Sequence, residues 1–152
     1  VQELFETAGK YFKKSVKNRM DKIELEMAPI DARVIGDVNQ LRFLLENLID
    51  EALAVHEEGV IRLQARKDNE YVRFLFTDTR REKSMEELNL LFYPNLARMT
   101  SGEKGELRGT EYLVCKQIIR DHDEFAGRRG CRINAEPAEG GGFTVYFTIP
   151  RR

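Results

Sequence analysis

The sequence predicts an α+β fold, a two-layer α/β sandwich in which one mixed β-sheet carries three main helices on one face. Two observations lead to this fold class. Apolar residues recur at helical spacing in three separated segments, residues 1–18, 38–56 and 110–122. Pairs of segments with alternating apolar and polar residues stand between those helices, as expected for hairpins. Strand pairs separated by helices favour α+β over a series of βαβ units.

The composition is that of a globular protein with a highly charged surface. The chain has 152 residues, of which 41% are hydrophobic and 34% charged, and its net charge is −1. This balance gives no reason to expect binding to nucleic acid or to an anionic membrane surface. The sequence has no apolar run as long as a membrane span and no signal peptide pattern. We therefore expect neither nucleic acid nor membrane as a direct partner of this chain.

The first residue is Val1 rather than methionine. We therefore expect residues 1–152 to be a single domain from a longer protein, with any sensor or membrane anchor outside it. Cys115 and Cys131 form neither a metal-binding nor a redox spacing, which favours a reducing compartment. The expected location is cytoplasmic, which includes the cytoplasmic part of a membrane-anchored sensor.

The first elements are predicted to be a helix and two strands. Residues 1–18 have an apolar stripe opposite a row of lysines. Residues 23–27 alternate apolar and charged side chains, which predicts a half-buried strand that ends before Pro29. Residues 32–35 predict a short strand that leads into the next helix.

The central helix is predicted over residues 38–56, where apolar residues recur at spacings of three and four. Asp37 is suited to cap its N-terminus. Asn47, Asp50 and Glu51 fall together on another face, because residues three and four apart are neighbours on a helix. The glycine that follows two glutamates after this segment predicts the end of the helix.

A hairpin and a glycine-rich loop follow the central helix. Residues 60–66 and 71–77 alternate and are rich in β-forming residues, and the second strand ends at Asp78. Residues 85–92 predict a short helix. Residues 98–109 contain several glycines without periodicity, which predicts a mobile loop.

The last part of the chain predicts the third helix over residues 110–122, a charged loop over 123–130, and a closing hairpin. The strands of that hairpin are residues 131–135 and 142–150.

Three side chains at helical positions have structural interpretations. His56 and His122 each lie in the last turn of a helix, where histidine interacts favourably with the helix dipole, so both are interpreted as structural. Cys115 is interpreted as a packed core thiol.

The order of these motifs resembles the histidine kinase-like ATPase catalytic domain, a branch of the GHKL superfamily that includes gyrase B, Hsp90 and MutL. Residues 44–53, LLENLIDEAL, resemble the N-box helix, and residues 76–79, FTDT, resemble the first glycine box. The resemblance covers nearly the whole chain and implies the Bergerat-type ATP-binding fold. The other matching segments are residues 86–94 for the F-box, 109–118 for the second glycine box and 141–150 for the last strand.

The resemblance implies a site for ATP and Mg²⁺. In this family a strand-end aspartate accepts a hydrogen bond from the adenine amine, and that role falls on Asp78. An asparagine of the N-box helix ligates Mg²⁺, which neutralises the phosphates. Glycines in the two glycine boxes allow the backbone to approach the nucleotide closely.

The sequence departs from the family pattern in each of these motifs. The first N-box asparagine is Asn47, but the metal-ligand position holds Glu51. Arg80 stands where the first glycine box has a glycine, and Glu111 replaces a glycine of the second box. The candidate nucleotide-binding residues are therefore Asn47, Glu51, Asp78, Arg80, Gly109, Thr110 and Glu111, with Glu51 and Asn47 as candidate Mg²⁺ ligands and no catalytic residue assigned.

A second register is open to consideration, in which Asn47 is the metal ligand as in gyrase B. That register requires a catalytic glutamate at the position of Phe43, so we prefer the histidine kinase register.

Three functional hypotheses follow, and we favour the first. The chain is a degenerate sensor histidine kinase ATP-binding domain of two-component signal transduction, with weak or absent nucleotide binding, acting as a regulatory or docking module. Alternatively, it is an active kinase domain that positions Mg-ATP for phosphoryl transfer to a histidine, in which Asp78 reads adenine, Asn47 and Glu51 hold Mg²⁺, and Arg80 or Arg81 binds a phosphate. The third hypothesis is that the chain serves only to bind other proteins. The implied partners are a dimerisation domain with the phosphoacceptor histidine and a response regulator.

Overall fold

The structure is a computed structural model and describes residues 1–20, 22–89, 115–122, 124 and 132–152. Residues 115–122 are helical in addition to the labelled elements. In chain order the labelled elements are α1 (Gln2–Val16), β1 (Ile23–Ala28), α2 (Val38–Leu53), β2 (Gly59–Asp68), β3 (Tyr71–Asp78), α3 (Met85–Asn89), β4 (Ile133–Pro137) and β5 (Phe143–Pro150).

The five strands form one mixed sheet in the order β1-β2-β3-β5-β4. Strand β1 runs parallel to β2, and the other neighbouring strands are antiparallel. The predicted hairpins are the β2–β3 pair and the β4–β5 pair. The predicted α+β class with a mixed sheet is therefore confirmed.

Buried aromatic residues join the helix layer to the sheet. The ring of Phe74 on β3 stacks on Phe147 of the neighbouring β5, with centroids 4.9 Å apart. Phe5 of α1 lies over the same ring at 6.2 Å, and all three side chains are fully buried. Burial of large aromatic groups between two layers supplies a major part of the stabilisation of such a sandwich.

The N-terminus of α2 is fixed by two side chains. The Oδ1 atom of Asp37 accepts hydrogen bonds from the backbone N–H groups of Asn39 at 2.9 Å and Gln40 at 3.2 Å, which confirms the predicted cap. The backbone N–H of Asp37 in turn donates to Nε2 of the buried His122 at 2.9 Å. The other ring nitrogen, Nδ1, lies 2.8 Å from the Ile118 carbonyl and donates to it, because a carbonyl oxygen only accepts.

Asp37→Ala is expected to lower the free energy of unfolding by about 1 kcal/mol, because two N–H groups of the first turn of α2 lose their acceptor. Urea unfolding followed by circular dichroism measures the change. The control is Asp31→Ala, which removes an exposed carboxylate outside the helix and should change stability by no more than about 0.5 kcal/mol. Equal losses in the two variants would contradict the capping role.

Two sequence predictions are wrong in detail. The strand predicted over residues 32–35 is a single bridge between Val34 and Arg151, with the Ile35 N–H donating to the Pro150 carbonyl at the end of β5 at 2.8 Å. Helix α2 ends at Leu53 rather than at residue 56, where arginine side chains bind its last carbonyl groups.

Other predictions fall wholly or partly outside the described residues. The loop over 98–109 lies there, as do Cys131, most of the loop over 123–130 and residues 110–114 of the third helix. Within the described part of the chain, no helix is both long enough and apolar enough to cross a membrane. Cys115 is buried against the backbone of α2, as interpreted from the sequence.

Candidate functional site

The candidate site lies at the end of β3, beneath the C-terminal half of α2. Asp78 is the last residue of β3, and its whole residue is only 2% exposed. It pairs across the sheet with Ile61 of β2 and Phe143 of β5. A carboxylate in such an apolar setting needs a partner, because an isolated buried charge is strongly unfavourable.

The partner of Asp78 is the guanidinium group of Arg80, two residues further along the chain. Nε of Arg80 donates to Oδ1 of Asp78 at 2.8 Å, and Nη2 donates to Oδ2 at 2.8 Å. The backbone N–H of Arg80 adds a third bond to Oδ1 at 3.0 Å. The side chains of Arg80 and Asp78 are 0% and 3% exposed, so this is a buried, bidentate ion pair.

The remaining donors of Arg80 bind the C-terminal end of α2. Nη1 donates to the carbonyls of Val55 at 3.1 Å and Glu57 at 3.0 Å, and Nη2 also donates to the Ala52 carbonyl. Helix C-termini expose carbonyl groups and a partial negative charge, which cations stabilise.

A second arginine binds the same end of α2 from the other side. Arg19, which follows α1, donates through Nη1 to the Leu53 carbonyl and through Nη2 to the Val55 carbonyl at 3.2 Å. The two guanidinium groups satisfy the carbonyls that would otherwise require another helical turn or a glycine cap. This is why α2 ends at Leu53, before the glycine expected to stop it.

Two glycines leave the space that Arg80 and Asp78 occupy. A Cβ atom on Gly59 would lie 2.7 Å from Cγ of Arg80, so the stem of the arginine covers this glycine. A Cβ atom on Gly142, whose φ is +85°, would lie 2.1 Å from the backbone oxygen of Asp78. Only glycine fits at both positions.

Between α2 and the sheet, the described residues enclose a cavity of about 20 Å³ next to this ion pair. A space of this size holds about one water molecule, whereas small-molecule pockets are typically about 300–1,000 Å³. The lining residues are Leu48, Glu51, Ala52, Phe76, Asp78, Arg81, Lys83, Phe143 and Val145.

Charged groups of both signs border this cavity. The Oε2 atom of Glu51 is shielded from solvent there. Lys83 places Nζ 5.4 Å from the centre of the Phe143 ring, a cation–π contact. Arg81 is half-buried, and its Nε atom has no hydrogen bond to any of the described residues.

The polar face of α2 is divided between two neighbours. Glu51 faces the cavity, whereas Asp50 accepts a hydrogen bond from the hydroxyl of Tyr11 on α1 at 2.6 Å. Burial raises the pKa of Tyr11, and the hydrogen bond to Asp50 raises it further. Asn47 is half-buried one turn before Glu51 and does not line the cavity. Among the described residues, no group of three or more His, Cys, Asp or Glu side chains has the arrangement of a metal site.

The structure thus brings together Glu51, Asp78 and Arg80 of the candidate residues and leaves Asn47 beside them. Gly109, Thr110 and Glu111 lie outside the described residues. Sequence reasoning missed Arg19 and Lys83, whose roles depend on contacts distant in the chain. Gly59 is a signal for Arg80 rather than for these two residues, because its φ of +146° and the stem of Arg80 both require glycine there.

A mixed sheet beneath α2, with a buried aspartate at the end of a central strand, defines a two-layer fold of the Bergerat ATPase class. The chain belongs to the histidine kinase-, DNA gyrase B- and HSP90-like ATPase family, whose model matches residues 36–152. The family predicted from the motifs is therefore confirmed. Among curated protein sequences, none matches the chain significantly.

Solved structures of histidine kinases have the same fold. The catalytic domain of histidine kinase ThkA in a nucleotide-free form has a TM-score of 0.73 at 22% identity, covering 99% of this chain and 93% of that one. The mycobacterial sensor histidine kinase MprB has a TM-score of 0.74 at 20% identity, covering 97% and 94%. ThkA in complex with the response regulator TrrA has a TM-score of 0.72 at 22% identity, covering 100% and 40%.

Proposed function

We propose that this chain is the ATP-binding domain of a sensor histidine kinase in which nucleotide binding is weak or lost, and that it acts as a regulatory or docking module in two-component signal transduction. The observation that carries the proposal is the buried ion pair between Asp78 and Arg80. In this family the strand-end aspartate is the group that reads adenine. Here both of its oxygens already accept hydrogen bonds from one guanidinium group.

Adenine would have to displace Arg80 to reach Asp78. Displacement breaks two charge-assisted hydrogen bonds within the pair and three bonds from Arg80 to backbone carbonyls. Hydrogen bonds to charged groups contribute about 1.5–3 kcal/mol each, so the cost is comparable to the affinity of a typical nucleotide site.

The negative charge of Glu51, at the metal-ligand position, also disfavours nucleotide binding. Glu51 puts a carboxylate beside the cavity where the family has a neutral amide. Without a metal ion, this carboxylate repels the phosphates of ATP. The residues present therefore fit Mg-ATP poorly, and no phosphoryl transfer step is assigned to them.

A docking role agrees with what the related kinases do. ThkA has been solved in complex with the response regulator TrrA. For this chain we propose a cytoplasmic location, a dimerisation domain with the phosphoacceptor histidine as one partner and a response regulator as the other.

The second candidate function is an active histidine kinase domain with unusual ligands. Arg81 and Lys83 favour it, because both border the cavity and bring cations that phosphate groups bind. In that case Asp78 reads adenine after Arg80 has moved, and Asn47 and Glu51 hold Mg²⁺.

Thermal unfolding with and without millimolar Mg-ATP or Mg-ADP separates the two functions. Under the first proposal we expect no change of Tm. A nucleotide present at about 100 times its Kd would add about 2.7 kcal/mol, which corresponds to an increase of roughly 5–11 °C for a domain of this size.

The control is Asp78→Asn, which removes the carboxylate that would read adenine. A metal-dependent increase of Tm in the natural chain that disappears in Asp78→Asn would contradict the first proposal and support the second. An increase that persists in Asp78→Asn would place the nucleotide elsewhere and contradict both.

A further inference from the structure

The face of the sheet opposite the helices carries a row of arginines. Arg66 of β2 pairs with Arg73 of β3, and Arg73 pairs with Thr148 of β5. The next residue in the row is Arg132, just before β4, whose backbone N–H donates to the Thr148 hydroxyl at 2.9 Å and whose carbonyl accepts from the Thr148 N–H at 3.0 Å. Because strands lie about 4.8 Å apart, Arg66, Arg73 and Arg132 span about 14 Å across four strands. We call these three residues the arginine row.

Arg73, at the centre of the row, is held in place by its neighbours. Its Nη2 atom is 2.9 Å from Oδ2 of Asp68, and its guanidinium lies over the ring of Tyr146, 5.1 Å from the centroid. Its Nε atom is buried and has no hydrogen bond partner in the part of the chain that the structure describes. The guanidinium is therefore oriented before any ligand arrives, which lowers the entropy lost on binding.

The positive charge of the row exceeds what the neighbouring carboxylates neutralise. Arg66 of β2 and Arg73 of β3 are directly opposite each other on neighbouring strands, and like charges at such positions repel. Within the described residues, Asp68 is the ion-pair partner of Arg73, whereas Arg66 and Arg132 are exposed and have none. An anionic group placed on the row would relieve this repulsion.

A groove of about 460 Å³ runs beside the row. It is lined by the side chains of Tyr71, Arg73, Arg132 and Tyr146, and the β2–β3 turn forms one border. A second cavity of about 230 Å³ also touches Arg132 and adds Lys116 and Arg120. The positive surface therefore continues around β4, the edge strand of the sheet.

We propose that this groove is a docking site for an acidic segment of a partner protein. Arginine and tyrosine are the residues enriched at the energetic centres of protein interfaces, and arginine binds carboxylates through two parallel hydrogen bonds. The proposal concerns the opposite face of the sheet from the nucleotide site and does not depend on whether nucleotide binds.

The surroundings of the groove disfavour a continuous polyanion. Asp68 and Glu70 stand on the border formed by the turn, and the chain has a net charge of −1. A nucleic acid or an anionic membrane would bring phosphates against these carboxylates. A short acidic peptide can place its carboxylates on the arginines and avoid that border.

Fluorescence anisotropy with the whole 152-residue chain tests the proposal. The probe is a fluorescein-labelled peptide of about eight alternating glutamates and serines, because about four extended residues span the row. The matching lysine–serine peptide and a labelled single-stranded oligonucleotide are the comparison ligands. We expect the acidic peptide to bind more tightly than either of them, with an affinity that falls as salt is added.

Two variants locate the binding site. Arg66→Gln combined with Arg132→Gln should weaken binding of the acidic peptide by about tenfold or more, since charge-assisted hydrogen bonds are lost. Arg132→Gln alone should weaken it less. The control is Arg62→Gln, on the same face of the sheet but paired with Glu26 at 3.0 Å, and should leave binding within about twofold.

Three results would overturn the proposal. One is no binding of the acidic peptide by the natural chain. Another is an equal loss of binding in Arg62→Gln and in the double variant. The third is tighter binding of the oligonucleotide than of the peptide, which would assign the row to nucleic acid instead. Circular dichroism of each variant verifies that the fold is intact.

Discussion

Arg80→Ala is expected to lower the free energy of unfolding by about 3–5 kcal/mol, a large part of the stability of a domain of this size. The reason is that the substitution removes one member of a buried ion pair and leaves Asp78 charged in an apolar environment. It also leaves the carbonyls of Ala52, Val55 and Glu57 without the donors of the guanidinium group.

Urea unfolding of Arg80→Ala should be compared with that of Arg62→Ala. Both arginines form an ion pair with a carboxylate, but the side chain of Arg62 is 46% exposed, and exposed pairs contribute about 0–1 kcal/mol. The two variants therefore differ in the burial of the ion pair and in the bonds of Arg80 to the carbonyls at the end of α2. Similar losses in both would contradict the structural role assigned to Arg80.

A double-mutant cycle with Asp78→Ala measures the coupling directly. The double variant Asp78→Ala/Arg80→Ala should lose clearly less than the sum of the two single variants, because it leaves no unpaired buried charge. Additive losses would mean that the two side chains act independently, in spite of hydrogen bonds of 2.8 Å between them.

The ion pair explains how the chain keeps a buried aspartate without a nucleotide. In this chain Arg80 supplies a permanent partner and at the same time caps α2. Under the proposed function, the arginine that obstructs the nucleotide site is thus also the residue that stabilises the surrounding structure.

Local patterns in the sequence were sufficient for most of the fold. Alternation predicted β2, β3 and β5, and helical spacing predicted α1 and α2, because one face of each element is buried and the period of burial is the period of the element. The cap at Asp37 was predictable as well, since it depends only on the residues next to it.

The site was predictable only in part, because it depends on contacts between distant residues. From the sequence, Arg80 was a cation placed to obstruct a ligand or to bind a phosphate. Its actual partners include Val55 and Glu57, more than twenty residues earlier in the chain. The direction of a long side chain follows from tertiary packing, and no local pattern specifies it. The early end of α2 at Leu53 has the same cause.

Restoring the family pattern at three positions should restore nucleotide binding. The variant Glu51→Asn/Arg80→Gly/Glu111→Gly removes the carboxylate at the metal-ligand position, frees Asp78 for adenine and returns a glycine to the second glycine box. The change at Glu111 follows from the sequence resemblance alone. We expect Mg-ATP to raise the Tm of this variant by roughly 5–11 °C at about 100 times its Kd, while the natural chain shows no change.

The same triple variant with Asp78→Asn added is the control for this gain. The gain should be much smaller there, because the neutral amide accepts a weaker hydrogen bond from the adenine amine than the carboxylate that Arg80 binds in the natural chain. The triple variant lacks Arg80 and should be less stable than the natural chain without ligand, so each Tm is compared with that of the same variant free of nucleotide. A triple variant that is folded but shows no increase of Tm with Mg-ATP would contradict the placement of the site at Glu51 and Asp78. The buried pair would then be a structural feature only, unrelated to the loss of a nucleotide site.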